Sequence, residues 1–303
     1  MRLFTITLNL ALATRRSIIL MPTLLLFNCF TTKAQTAITD SNFHFNQRFI
    51  DCEKKWVVFP KTNNTPGYPL GYIYMDAMAG FTFQLTGFLS VNKDHTYSKD
   101  TSAFVTKMQK VRLGANTRLV ALIGPEHYRE LNLDPYPRIF HIYYDGVDSL
   151  SRYQRLGFTY NDLQQFDKAF FYLNKVYAKD PHYDGTEFEL SFAYNATNKY
   201  DEAIKILEAA IKNNPKNMMF YRELGFSYMG KNDNDKAIEV YKNAVAQYAP
   251  DAMDETKAEM ALNLAHIYSV KGDNASKTEW VANAKKWAPV NSNIYNSIKA
   301  QGL

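Results

Sequence analysis

The sequence predicts an α+β protein, with a small antiparallel β-rich N-terminal domain over 36–149 followed by an all-α solenoid over 150–303. Three observations lead there. Apolar residues alternate with period two around Phe81–Val91, the spacing turns helical near Leu150, and the helical pattern then recurs at fixed steps. Composition agrees: 46% of the 303 residues are hydrophobic and 15% aromatic, enough for two packed cores and against general disorder.

The first 35 residues read as a signal peptide. Arg2, Arg15 and Arg16 precede an apolar run from Ser17 to Phe30, shorter than the ~20 residues that span a bilayer. Small residues at Thr32 and Ala34 suit a cut between Ala34 and Gln35. Export to a bacterial periplasm or beyond is the expectation, with a retained membrane anchor as the alternative. Lipidation at Cys29 fits less well, because Phe27 and Asn28 stand where small residues are expected. Cleavage would remove Arg2, Arg15, Arg16 and Lys33, four of the 35 basic residues and none of the 30 acidic ones. The net charge would fall from +5 to +1, which removes the compositional case for nucleic-acid binding. Cys52 would remain alone, unable to form an internal disulfide and best read as a buried small hydrophobe.

Within 36–149, Lys55–Phe59 and Gly71–Met75 read as strands separated by a proline-rich loop (Pro60, Pro66, Pro69). Phe81, Phe83, Leu85, Leu89 and Val91 form a half-buried strand, and Gly87 marks a bulge or bend. Asn92–Thr101 is polar and turn-like. Val111–Leu113 and Leu119–Ile123 suggest a hairpin about Gly114-Ala115-Asn116. Pro125-Glu126 opens a short helix through Leu131, and Arg138–Tyr144 reads as a last strand.

From Leu150 a signature repeats. Leu156-Gly157-x-x-Tyr160 is followed by Ala169 and Pro181, and Leu190-Ser191-x-x-Tyr194 by Ala203 and Pro215. Leu224-Gly225-x-x-Tyr228 is followed by Ala237 and Pro250, and Leu264-Ala265-x-x-Tyr268 by Ala284 and Pro289. The first three sets are spaced by 34 residues. The fourth lies 40 further on, implying an insertion of about six around Ala252–Lys257. This pattern resembles the tetratricopeptide repeat family over about 150–291. It divides the region into hairpins at 150–183, 184–217, 218–251 and 258–291, with Asn293–Lys299 as a closing helix. Physically, each hairpin has an apolar face it cannot cover alone, so neighbours stack. Small residues at Gly157, Ser191, Gly225 and Ala265 let paired helices approach, and the prolines stop each second helix. Asp167, Asp201 and Asp235 are placed to cap the second helices or to favour their positive ends. Lys277 replaces the alanine expected in the fourth repeat, which predicts looser packing there.

The resemblance implies a concave face formed by the first helices that holds a protein or peptide. By position it would present Gln154, Phe158 and Asn161; Phe188, Phe192 and Asn195; Arg222, Phe226 and Met229; and Leu262, His266 and Ser269. Phe158, Phe192 and Phe226 recur every 34 residues, either as an aromatic ladder for a partner or as packing between helices. The basic groove of carboxylate-gripping relatives is not evident.

Catalytic signatures are missing. The six histidines show no metal-ligand spacing, Asp145–Asp148 lacks the oxygens of a calcium loop, and no phosphate-binding glycine motif or nucleophile elbow occurs. The expectation is a non-catalytic exported scaffold with no cofactor and no metal. The rival is a β domain that binds or processes a small molecule, marked by a deep pocket with His95, Tyr97 or His141, while the repeats dock it to a complex. A structural envelope component is a third reading.

Overall fold

The computed structural model describes residues 38–76, 78–102, 109–114, 117–145 and 149–300. The expected signal peptide lies outside them, as do Ala115-Asn116 and 146–148. The described residues form two compact units, 38–163 and 164–300.

In the first unit β1 (Ile38–Thr39) and β2 (His44–Phe45) make a small hairpin. An antiparallel sheet follows, from β3 (Trp56–Val58), β4 (Tyr68–Asp76), β5 (Gly80–Val91), β6 (Tyr97–Asp100), β7 (Gln109–Arg112) and β8 (Ala121–Leu122). Their order is β6-β5-β4-β3-β8, and β7 also pairs with β5. Leu70 faces Gly87 but Gly71 faces Leu85, so Thr86 is an extra residue and the bulge expected at Gly87 is present. A Cβ on Gly87 would meet the Asp100 carbonyl oxygen at 2.8 Å, which is why glycine stands there.

Four local expectations are corrected. Val111–Leu113 and Leu119–Ile123 are not hairpin partners: β7 pairs with β5, and β8 with β3. Asn92–Thr101 contains strand β6 on the outer side of β5. The helix from Pro125 is a single 3-10 turn, Pro125–His127, followed by turns. Arg138–Tyr144 is a helix, α1, not a strand. Ile139, Phe140, Tyr143 and Tyr144 recur at helical spacing and pack on the core of Trp56, Tyr72 and Tyr74, while Ile142 points to solvent. Phe140 meets Tyr72 edge to face at 5.4 Å, and Trp56 Nε1 donates to the Asp134 carbonyl at 2.8 Å. Cys52 is fully buried, which pushes its thiol up to about 11.

Helix α2 (Leu150–Asp162) ends the first unit, one helix later than the boundary read from the change in periodicity. Its Tyr160 ring meets Phe81 edge to face, and its hydroxyl donates to Glu53 Oε2 at 2.8 Å. Tyr144 donates to the other oxygen of Glu53 at 2.9 Å.

The second unit contains α3 (Phe166–Lys179), α4 (Thr186–Ala196), α5 (Tyr200–Asn213), α6 (Met218–Gly230), α7 (Asn234–Val245), α8 (Glu255–Val270), α9 (Asn274–Trp287) and α10 (Asn293–Ala300). Within it α4/α5, α6/α7 and α8/α9 are helical hairpins, each packed on the next. Ala203 and Ala237 are fully buried at the crossings, and a Cβ on Gly225 would strike the Tyr241 ring at 2.4 Å. The turns share one geometry. Asn198, Asn232 and Gly272 are left-handed, and the amide after each returns to the carbonyl of Tyr194, Tyr228 or Tyr268. The repeated tyrosine therefore closes each first helix with its backbone as well as packing with its ring.

The aspartates two places before the alanines are not caps. Asp167, Asp201 and Asp235 lie in the first turn, where they favour the positive helix end, and the side-chain cap of α7 is Asp233. Asp201 and Asp235 instead pair with Lys231 and Lys271, the residues that follow the next first helix.

The insertion before the fourth repeat lengthens the connection 246–254 and adds a turn to the start of α8. Lys257 fastens it. Only 1% exposed, its ammonium donates to the carbonyls of Ala249 (2.8 Å) and Pro250 (3.1 Å) and lies 4.0 Å from the Trp287 ring centroid. Trp287 Nε1 also donates to the Pro250 carbonyl. Lys257→Met is expected to lose about 1.5–3 kcal/mol, since the Ala249 and Pro250 carbonyls lose a charged donor, and urea denaturation measures it. The looser packing expected from Lys277 is not found, because α8 and α9 are closely apposed through buried Ala284 and Trp287. Ile294 and Ile298 of α10 then cover the end of that core.

Candidate partner-binding face

Helices α4, α6 and α8 lie side by side, so their equivalent positions form one continuous face. On it Phe188, Phe226, Met229, His266 and Ser269 are half-buried, whereas Phe192, Asn195, Arg222 and Leu262 are buried. Gln154 and Phe158 are half-buried and Asn161 is buried, all on α2 of the first unit. The phenylalanine ladder is therefore uneven. Phe192 is 5% exposed, with its ring 6.5 Å from that of Phe166, while Phe226 retains exposed surface. Burial pushes His266 below the usual imidazole range.

Beneath this surface lies a polar network that the periodic pattern did not reveal. Arg222 Nη2 and Nε donate to Glu223 Oε1 at 2.6 and 3.1 Å, and Nη1 donates to Glu259 Oε2 at 3.3 Å. Asn195 Nδ2 donates to Glu223 Oε2 at 3.0 Å, and Ser227 Oγ donates to Asn195 Oδ1 at 2.7 Å. Tyr241 donates to the Arg222 carbonyl and accepts from Asn263 Nδ2 at 3.0 Å. The network thus joins α4, α6, α7 and α8. Phe188 lies under the guanidinium at 5.6 Å from its ring centroid. The sequence did carry a signal: Arg222-Glu223 interrupts a helix that is otherwise apolar almost all round, and charges in such a helix must be paired.

The residues proposed for a small-molecule pocket each have separate surroundings. His95 is an exposed turn residue, Tyr97 stacks on His127, and His141 pairs with Asp145. Among the described residues no group of three or more His, Cys, Asp or Glu side chains is placed to hold a metal. No described helix is long and apolar enough to cross a membrane.

A stack of antiparallel helical hairpins with a repeated glycine- or asparagine-type turn defines a helical solenoid. The family model described as Tetratricopeptide repeat matches residues 161–219, and the helical region consists of tetratricopeptide-like helical repeats. Among solved structures, a thermophilic TPR protein in Thermus thermophilus is 22% identical, the match covering 51% of this chain and 81% of that one with a TM-score of 0.43. MamA 41-end from Desulfovibrio magneticus RS-1 is 19% identical, covering 46% and 75%, with a TM-score of 0.41. A further MamA crystal structure is 22% identical, covering 50% and 81%, with a TM-score of 0.41. No curated protein matches the chain.

Proposed function

We propose that this chain is an exported, non-catalytic scaffold that holds a protein or peptide partner along the first helices of its repeats. The observation that carries the reading is the face of α4, α6 and α8, where Phe188, Phe226, Met229 and His266 keep exposed apolar or amphipathic surface above a buried polar network. Tetratricopeptide repeats generally serve protein interaction, which supports the class of partner. The basic, apolar start of the sequence supports export, and the sheet unit is assigned the role of a cap or second contact surface.

In-cell crosslinking with mass spectrometry tests this. A partner crosslinked through residues near Phe188 and Phe226 is expected, and recovery is expected to fall at least tenfold in the Phe188→Ala/Phe226→Ala variant, compared with the wild type at a temperature where circular dichroism shows both folded. Phe192→Ala is expected to behave differently, losing about 3–5 kcal/mol of stability because that ring is buried. Equal recovery from the wild type and the double variant would sink the assignment of this face.

A further inference from the structure

The buried network holds one guanidinium between two carboxylates. All three side chains are nearly out of solvent, at 4%, 2% and 7% exposure for Arg222, Glu223 and Glu259. With both acids ionised the cluster carries a surplus negative charge in a place where water cannot screen it, which is costly. The two acids are not equivalent. Glu223 accepts two bonds from Arg222 and one from Asn195. Glu259 accepts a single, longer bond from Arg222, across the junction between the third and fourth repeats. A proton shared by the pair therefore goes to Glu259.

We infer that the Arg222–Glu223–Glu259 cluster is a proton-dependent clasp between the third and fourth repeats, closed with Glu259 protonated and loosened when it ionises. The groups acting on Glu259 are Arg222 and Glu223 from α6, Tyr241 from α7, and Glu255 on its own helix. Burial raises its carboxyl, and Glu223 and Glu255 add to this. Arg222 opposes them, and the balance is an acid titrating at about 7. The direction for stability follows. A carboxyl raised in the folded state binds its proton there while the unfolded chain has already lost it, so stability falls as pH rises from about 4.5 to about 7 and then levels. The other buried charge of α8, Lys257, is held by backbone carbonyls and aromatic rings and takes no part in the clasp. This inference rests on the helical unit alone and stands whether or not a partner binds the face above it.

The test uses the full chain. Chemical denaturation across pH 4.5–8.5 is compared between the wild type and Glu259→Gln, which keeps an acceptor for Arg222 but cannot ionise. The wild type is expected to lose on the order of 100-fold in its folding constant relative to the variant between pH 4.5 and pH 8. Hydrogen exchange of the α8 amides, corrected for the intrinsic effect of pH, is expected to speed up above pH 7 in the wild type only. Parallel stability profiles for the two proteins would overturn the clasp. So would a carbon-detected NMR titration placing the Glu259 carboxyl near 4.5. Should Glu259→Gln fail to fold, Glu223→Gln provides the second reading: removing the like charge is expected to shift the wild-type transition to lower pH, and an unmoved transition would count against the proposal.

Discussion

Replacing Arg222 with methionine is expected to destabilise the helical unit by about 3–5 kcal/mol, because Glu223 and Glu259 would then face one another in the interior without a cation. The guanidinium supplies three of the donors that hold this junction, and Asn195 satisfies only one oxygen of Glu223. Urea unfolding monitored by circular dichroism measures the loss. The informative control is the triple variant Arg222→Met/Glu223→Leu/Glu259→Met, which removes charge and counter-charge together and is expected to recover most of the stability. If the single variant were as stable as the wild type, the network would be a solvated surface feature, contrary to its burial.

The second large effect is expected in the sheet. Gly71 lies in the middle of β4, where a Cβ would come within 2.0 Å of the Gln84 carbonyl oxygen and 2.7 Å of the Phe83 ring. Gly71→Ala therefore forces β4 away from β5 at the point where their register already shifts. The expected cost is about 3 kcal/mol, since the obstacle is backbone and cannot rotate aside. Loss of near-ultraviolet dichroism from the aromatic core, with helical signal retained, would mark the damage as confined to the first unit. Gly114 is the natural comparison, with open space around its missing Cβ.

What could be read in advance divides along physical lines. The helical hairpins were legible because their constraints are local and periodic: a small residue for close approach, a tyrosine, a turn, a proline. The turn itself offered a further signal at Gln164, Asn198 and Asn232, each left-handed and 34 residues apart. Sheet pairing was far less legible. Whether Val111 meets Leu119 or Phe83 depends on contacts between distant segments, and no local pattern records that choice. The short segment Arg138–Tyr144 suits either a helix or a strand by composition, and only the core beneath it decides. As for the candidate face, its positions could be assigned by counting, but not which of them lie open. Position alone makes Arg222 a groove residue, yet its charge is taken up by two acids, one of them 37 residues away, that no counting rule links to it.

The extra residue at Thr86 reaches beyond its immediate neighbourhood. On either side of it β5 meets different strands along the same flank, β7 through Thr82–Leu85 and β6 through Phe88–Val91. That margin is consequently broken into two brief ladders, and neither offers a foreign chain a long template for hydrogen bonding. A single inserted position thus keeps every outer pairing on this flank of an aromatic-rich sheet to four residues or fewer.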